Sequence, residues 1–217
     1  AGTDTGNYAL SSGTTLIFTG GTRTMNGVSI TGSGTANLNG GIVTASGDVS
    51  ISNLSITDSN SYLTGTGNVT ITSSMTFPRG SLYGSGTLTT NPGTTTTLGS
   101  GNYAYLSGKT WDNYGTVNFV GAGGVDFRIN SSAVFNNKSG ANLNLNNTST
   151  NSHIETSSGT GTFNNAGTVT QSGTNSTISV SSVNNTGTVS VTGGTLTLST
   201  AGTDTGNYAL SSGTTLI

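Results

Sequence analysis

The chain has 217 residues with a formal net charge of −2 at pH 7; charged residues make up 6%, Gly 35 positions, Pro 2, and Cys is absent. That excludes disulfides and thiolate-held metal. The five cations, Arg23, Arg79, Lys109, Arg128 and Lys138, are scattered, so no basic footprint for nucleic acid or an anionic membrane exists. No apolar run approaches the roughly 18 residues of a membrane span. Low charge with 30% hydrophobic residues could mark disorder. Yet Pro is nearly missing, Thr is abundant, and the Val, Ile, Leu and Phe residues alternate with polar ones, which is strand chemistry.

Residues 1–17, AGTDTGNYALSSGTTLI, recur letter for letter as residues 201–217. The identity sets a period of 200, and implies one repeat unit over 1–200 followed by the start of the next identical unit at 201–217. The chain, which starts without Met and stops mid-strand at Ile217, reads as a segment of a longer tandem array. Length, reach and multivalency suit such an array better than one catalytic pocket.

A shorter motif runs inside the period: Gly, any residue, apolar, polar, apolar. It starts loosely at Gly13, then at Gly34 (GTANL), Gly47 (GDVSI), Gly67 (GNVTI), Gly86 (GTLTT) and Gly115 (GTVNF). It is loose again at Gly140 (GANLNL) and closes with Gly167 (GTVTQ) and Gly187 (GTVSV). Nine starts per period average about 22 residues per unit. Alternation puts Val49 and Ile51, or Val117 and Phe119, on one face of a strand. One such strand cannot bury its apolar side alone. Stacking equivalent strands about 4.8 Å apart builds a continuous core and pairs each backbone group with a neighbouring coil. The pattern therefore predicts an all-β parallel β-helix (β-solenoid), three-sided, with about nine coils per 200-residue repeat and a rise of about 43 Å.

The spacing between starts is uneven, from 13 to 29 residues. The long intervals predict protruding loops over 91–111 and 146–159. The first holds Tyr103, Tyr105 and Trp111, whose rings are the candidates for glycan contact. A second signature precedes several starts: WDNYG at 111–115, FNNKSG at 135–140, FNNAG at 163–167 and VNNTG at 183–187. Asn tolerates left-handed backbone and can hydrogen-bond to its own kind along a stack. Asn113, Asn137, Asn165 and Asn185 are thus the predicted structural corner ladder.

Little chemistry is written into the rest. His153 is the single histidine and alternates with Glu155; the other acids are Asp4, Asp48, Asp58, Asp112, Asp126 and Asp204. Catalysis needs convergent titratable groups, and this set does not supply them, so no enzyme activity, metal or cofactor is expected. Gly123 to Asp126 gives one GGVD without the repetition of a calcium solenoid. The Thr-x-Thr pairs sit at different offsets from their Gly, unlike an ice-binding array.

The stretches GTTLIFTGGTRTMNGVSITGSGTANLNGG, YLTGTGNVTITSSMTF with GSLYGSGTLTT, and FNNAGTVTQSG with ISVSSVNNTGTVSVTGGTLTLS resemble tandem β-solenoid repeats of very large bacterial surface proteins. More loosely they resemble autotransporter passenger and filamentous-haemagglutinin-like adhesin repeats. The resemblance covers essentially the whole period and implies a right-handed coil, export, and an extracellular, cell-surface role. The expected function is a structural repeat of a long fibre, stalk or filament. Its partners would be neighbouring identical repeats end to end, in the same chain or a homopolymer. The alternative is an adhesin module whose loops bind a surface glycan.

Overall fold

Alternating apolar and polar residues make strands, and here every strand meets its neighbours in parallel. A computed structural model describes residues 1–99, 103–121, 124–148 and 152–217. Among these residues there are twenty-eight short strands and no helix. The chain is an all-β parallel β-solenoid of about ten coils.

The pairings fall into three stacked columns. Column one contains Gly2–Asp4, Thr22–Met25, Ile42–Ala45, Tyr62–Gly65, Gly80–Tyr83, Tyr103–Ser107, Asp126–Asn130, Ser152–Glu155, Asn175–Ser179, Thr195–Leu198 and Thr215–Leu216. Column two begins with Tyr8–Leu10 and runs through Thr87–Thr90, Thr110–Asn113, Ala133–Asn137 and Gly161–Asn165 to Ser182–Asn185. Column three begins with Thr15–Phe18 and passes through Thr95–Leu98, Thr116–Phe119, Asn142–Leu145, Thr168–Gln171 and Thr188–Val191 to Asn207–Leu210. Val49–Ile56 and Val69–Thr76 run through the corner between columns two and three and join them.

This register explains the uneven motif spacing. The Gly motif marks column three at Gly13, Gly34, Gly115, Gly140, Gly167 and Gly187, but column two at Gly47, Gly67 and Gly86. Passing from Gly34 to Gly47 is thus less than a coil, and from Gly86 to Gly115 is a coil plus a column. The loop predicted over 91–111 is therefore corrected: it contains the strands Thr95–Leu98 and Tyr103–Ser107 and the start of Thr110–Asn113. The loop predicted over 146–159 likewise contains Ser152–Glu155; residues 100–102 and 149–151 lie outside the described set. The Gly itself marks close approach between coils. A Cβ on Gly67 would sit 2.1 Å from the carbonyl oxygen of Gly47, and one on Gly187 2.1 Å from that of Gly167.

Coil length varies with core content. Leu63 pairs with Leu82, 19 residues on, whereas Phe127 pairs with Ile154, 27 residues on. The wide coils hold the bulk: Trp111, Phe127, Phe135 and Phe163 are almost fully buried. Trp111 and Phe135 lie 4.9 Å apart, Phe127 meets Phe135 edge-on at 5.6 Å, and Phe135 stacks on Phe163 at 5.6 Å and 13°. The narrow coils are filled mostly by Val, Ile, Leu, Ala and Met, with Phe18 and Phe77 as their rings. Rings fill the area that a longer perimeter encloses, avoiding the voids that a close-packed interior does not tolerate.

One buried cation sits in the wall of a wide coil. Lys109 is 1% exposed, and its Nζ donates to the Gly86 carbonyl at 2.8 Å. Burial lowers its pKa from the usual 10.5 to about 8. The unfolded chain then holds this proton more tightly, so stability rises as pH goes from about 8 toward 10.5 and is insensitive to this group below 8. Urea unfolding should show a midpoint that climbs between pH 8 and 10, on the order of 1.4 kcal/mol per pH unit. Lys109→Met should flatten that climb.

Candidate functional site

Two constellations stand out. The first is interior. At the end of each column-two strand an inward side chain turns toward the next coil, and the row reads Thr90, Asn113, Asn137, Asn165, Asn185. Thr90 Oγ1 accepts from Trp111 Nε1 at 3.2 Å and donates to Asn113 Oδ1 at 2.8 Å. Asn113 Nδ2 donates to Asn137 Oδ1 at 3.0 Å, Asn137 Nδ2 to Asn165 Oδ1 at 2.8 Å, and Asn165 Nδ2 to Asn185 Oδ1 at 2.8 Å. The spare amide protons go to backbone: Asn137 Nδ2 also reaches Thr168 O and Asn165 Nδ2 also reaches Thr188 O. A carboxamide is both donor and acceptor, so each rung satisfies the one before and the one after.

A second ladder runs beside it, one residue earlier and outward. Asn136 donates to Asp112 at 2.7 Å, Asn164 to Asn136 at 2.8 Å, and Asn184 to Asn164 at 2.8 Å. Lys138 pairs with Asp112 at 3.0 Å. Sequence reasoning missed this row, although the Asn-Asn doublets at 136–137, 164–165 and 184–185 carried its signal.

The second constellation is the outward surface of column one. Tyr62, Ser81, Tyr105, Arg128 and Glu155 stack as one row; Tyr103, Asp126 and His153 form the row on one side, and Tyr83, Ser107 and Asn130 that on the other. The Arg128 guanidinium lies 3.6 Å from the Tyr103 ring centroid, and its Nε donates to Glu155 Oε1 at 2.7 Å. Burial pushes the Asp126 carboxyl up, and His153 in the next coil opposes that shift. Next to this cluster is an open groove of about 400 Å³. Tyr62, Tyr83 and Tyr105 line it, with the serines 59, 81, 107, 131 and 158, and Asn130. Tyr62 is 38% exposed and Tyr83 54%.

The groove wall is strained. Ser131 and Ser132 have φ of 55° and 64°, left-handed values in two successive non-glycine residues. Each costs on the order of 1 kcal/mol and persists because the surroundings fix it. Ser131 N–H donates to Ser158 O at 3.0 Å, Ser132 N–H to Thr160 O at 2.7 Å, and Asn130 Oδ1 accepts from the Ser157 and Ser158 amides.

The three predicted aromatics part company. Trp111 points inward and is 0% exposed, so its ring is closed to any sugar in solvent. Tyr103 is 43% exposed and tilts against Tyr105 at 6.0 Å, on the outward side of a strand rather than on a loop. Tyr83 and Tyr62 join the surface from the two preceding coils, 22 and 43 residues before Tyr105, which only the register reveals. The groove offers ring faces and hydroxyls for stacking and hydrogen bonding; its lining contains no carboxylate or imidazole to move a proton. No family model, curated protein or solved structure matches this chain.

The inner ladder should carry stability. Asn165→Ala removes two rungs and orphans buried amide atoms on both sides, at a cost of about 2–4 kcal/mol. Asn164→Ala, in the outer half-buried row, should cost about 1 kcal/mol. Parallel urea titrations of the two variants check the ranking.

Proposed function

We propose that this chain is a structural repeat of a long extracellular fibre, stalk or filament at a bacterial cell surface, stiff because its coils stack without a break. The observation that carries the reading is the continuity of pairing into the repeated segment. Residues 207–210 and 215–216, identical in sequence to 7–10 and 15–16, pair in register with Thr188–Val191 and Thr195–Leu198. The end of one unit is thus a template for the start of the next, and no linker intervenes. Rigidity then comes from backbone hydrogen bonds and an unbroken apolar core rather than from hinges. The neighbouring identical repeat is the proposed principal partner, and the resemblance of the sequence to bacterial surface repeats is the ground for the proposed location. The polar, weakly charged exterior and the scarcity of convergent titratable groups fit a mechanical role better than catalysis. Electron microscopy of tandem copies should show unbroken rods lengthening by about 43–48 Å per copy, the rise of nine to ten coils. Beads joined by flexible gaps would contradict it.

The adhesin reading is favoured by one observation, the exposed tyrosine groove of column one. Aromatic faces flanked by hydroxyls suit a carbohydrate, whose apolar ring faces stack while its hydroxyls exchange hydrogen bonds. Binding to a glycan panel should fall at least tenfold in Tyr83→Ala with the unfolding midpoint unchanged, since this ring is mostly in solvent. Equal binding by the variant, or none by the parent, removes the reading.

A further inference from the structure

We infer that successive 200-residue copies are not in phase with the coil: each copy is turned by one strand column, about a third of a turn, from the one before. The inference rests on the tandem reading above and specifies its geometry.

The two identical seventeen-residue segments occupy different columns. Gly2–Asp4 lies in column one, but Asp204 pairs with Asn185 at the end of column two. Tyr8–Leu10 lies in column two, but Asn207–Leu210 pairs with Thr188–Val191 in column three. Thr15–Phe18 lies in column three, but Thr215–Leu216 pairs with Thr195–Leu198 in column one. All three strands are displaced by the same single step. From Gly2–Asp4 to Thr195–Leu198 column one advances nine coils, and Asp204 lies one column further. The period is therefore nine coils and one column.

The sequence allows this because it encodes the inward side of a strand, not the column. Tyr8, Leu10 and Leu16 pair with Ile30, Gly32 and Ala36 and pack against the core; Tyr208, Leu210 and Leu216 pair with the inward positions Val189, Val191 and Leu196, with Tyr208 and Leu210 still 37% and 51% exposed on the last coil. Parity is kept and the column is free.

The backbone of the Asn corner repeats in the turned register, although the side-chain ladder stops at Asn185. Every rung donates toward the later coil, so the last one, Asn185, presents a buried Nδ2 that makes no hydrogen bond. In the turned register Asp204 follows Asn185 through a backbone bridge, and its Oδ1 accepts from the Tyr208 hydroxyl at 2.7 Å rather than from Asn185. Asp204, Thr205 and Gly206 then repeat the corner of Asn185, Thr186 and Gly187, and the amides of Thr205 and Gly206 both donate to Asn185 O.

The consequence is a fibre without a single functional edge. A feature on column one of one copy, such as the tyrosine groove, appears on the next column in the following copy. It returns after three copies, which is twenty-eight coils or about 134 Å. A groove that binds would thus be displayed in three directions around the axis.

Cysteine pairing decides the register, because the chain has no native Cys. Parallel neighbours about 4.8 Å apart lie within disulfide reach. In a chain carrying two full copies, Ser190→Cys with Ala209→Cys joins outward neighbours in column three. Asn184→Cys with Ala209→Cys tests the whole-coil register, which puts residue 209 in column two. Near-complete bonding of the first pair and none of the second is the expected result. Bonding of the second pair alone overturns the turned register while leaving a continuous fibre. Neither pair bonding means the second copy does not continue the coil, which removes the fibre reading as well.

Discussion

Parallel pairing between coils is the constraint from which the rest follows. Each strand is hydrogen-bonded to the coil below and the coil above, so a residue in one coil sits almost directly over its partner in the next. Side chains then stack in rows, and each row has to be compatible with itself. Phe135 over Trp111 and under Phe163, Asn137 between Asn113 and Asn165, and Gly67 between Gly47 and Gly86 are three solutions to one geometric demand. Rings stack, amides relay hydrogen bonds, and glycines let carbonyls pass close. A substitution in any of these rows is felt by two neighbours, and in the inner Asn row those neighbours are buried, where an unpaired amide costs more.

Within that constraint the chain is free to vary its perimeter, and it does so where it has something to hold. Along column one the coils between Leu82 and Ile178 run to 23–27 residues, against 19–21 over the earlier coils. The added length encloses the Trp–Phe cluster. It also brings Ser131 and Ser132, in left-handed conformations, to the rim of the tyrosine groove. Core width, backbone strain and the exposed aromatic surface therefore coincide on the same few coils. The remaining coils, narrow and lined mainly by aliphatic residues with Phe18 and Phe77, have the character of spacer.

Much of this was legible in the sequence. Period-two alternation marked the strands, and the Asn shortly before four of the Gly starts marked the buried ladder, because an amide that must stack on itself repeats coil after coil from Asn113 to Asn185. What was not legible was which strand of a coil each motif occupied. The Gly motif marks column three at Gly34 and column two at Gly47, so its spacing mimicked loops where the chain is regular strand. Trp111 was misplaced for that reason: it follows a long interval, yet it belongs to the inward row that runs from Leu88 through Trp111 to Phe135. The tyrosine groove was invisible because Tyr62, Tyr83 and Tyr105 come from three coils, and only the stacking register makes them neighbours. The ambiguity of column is a property of the fold, since inward and outward are chemically distinct whereas the three columns are not. The same ambiguity lets one seventeen-residue sequence sit in two places.

The central claim is that coil stacking passes uninterrupted from copy to copy along one axis. X-ray diffraction from an aligned specimen of a multi-copy chain tests it directly. Continuous stacking predicts a sharp arc near 4.8 Å on the meridian, along the long axis of the specimen. An unoriented ring at that spacing would mean that the copies fold separately and turn independently, and the account would fail.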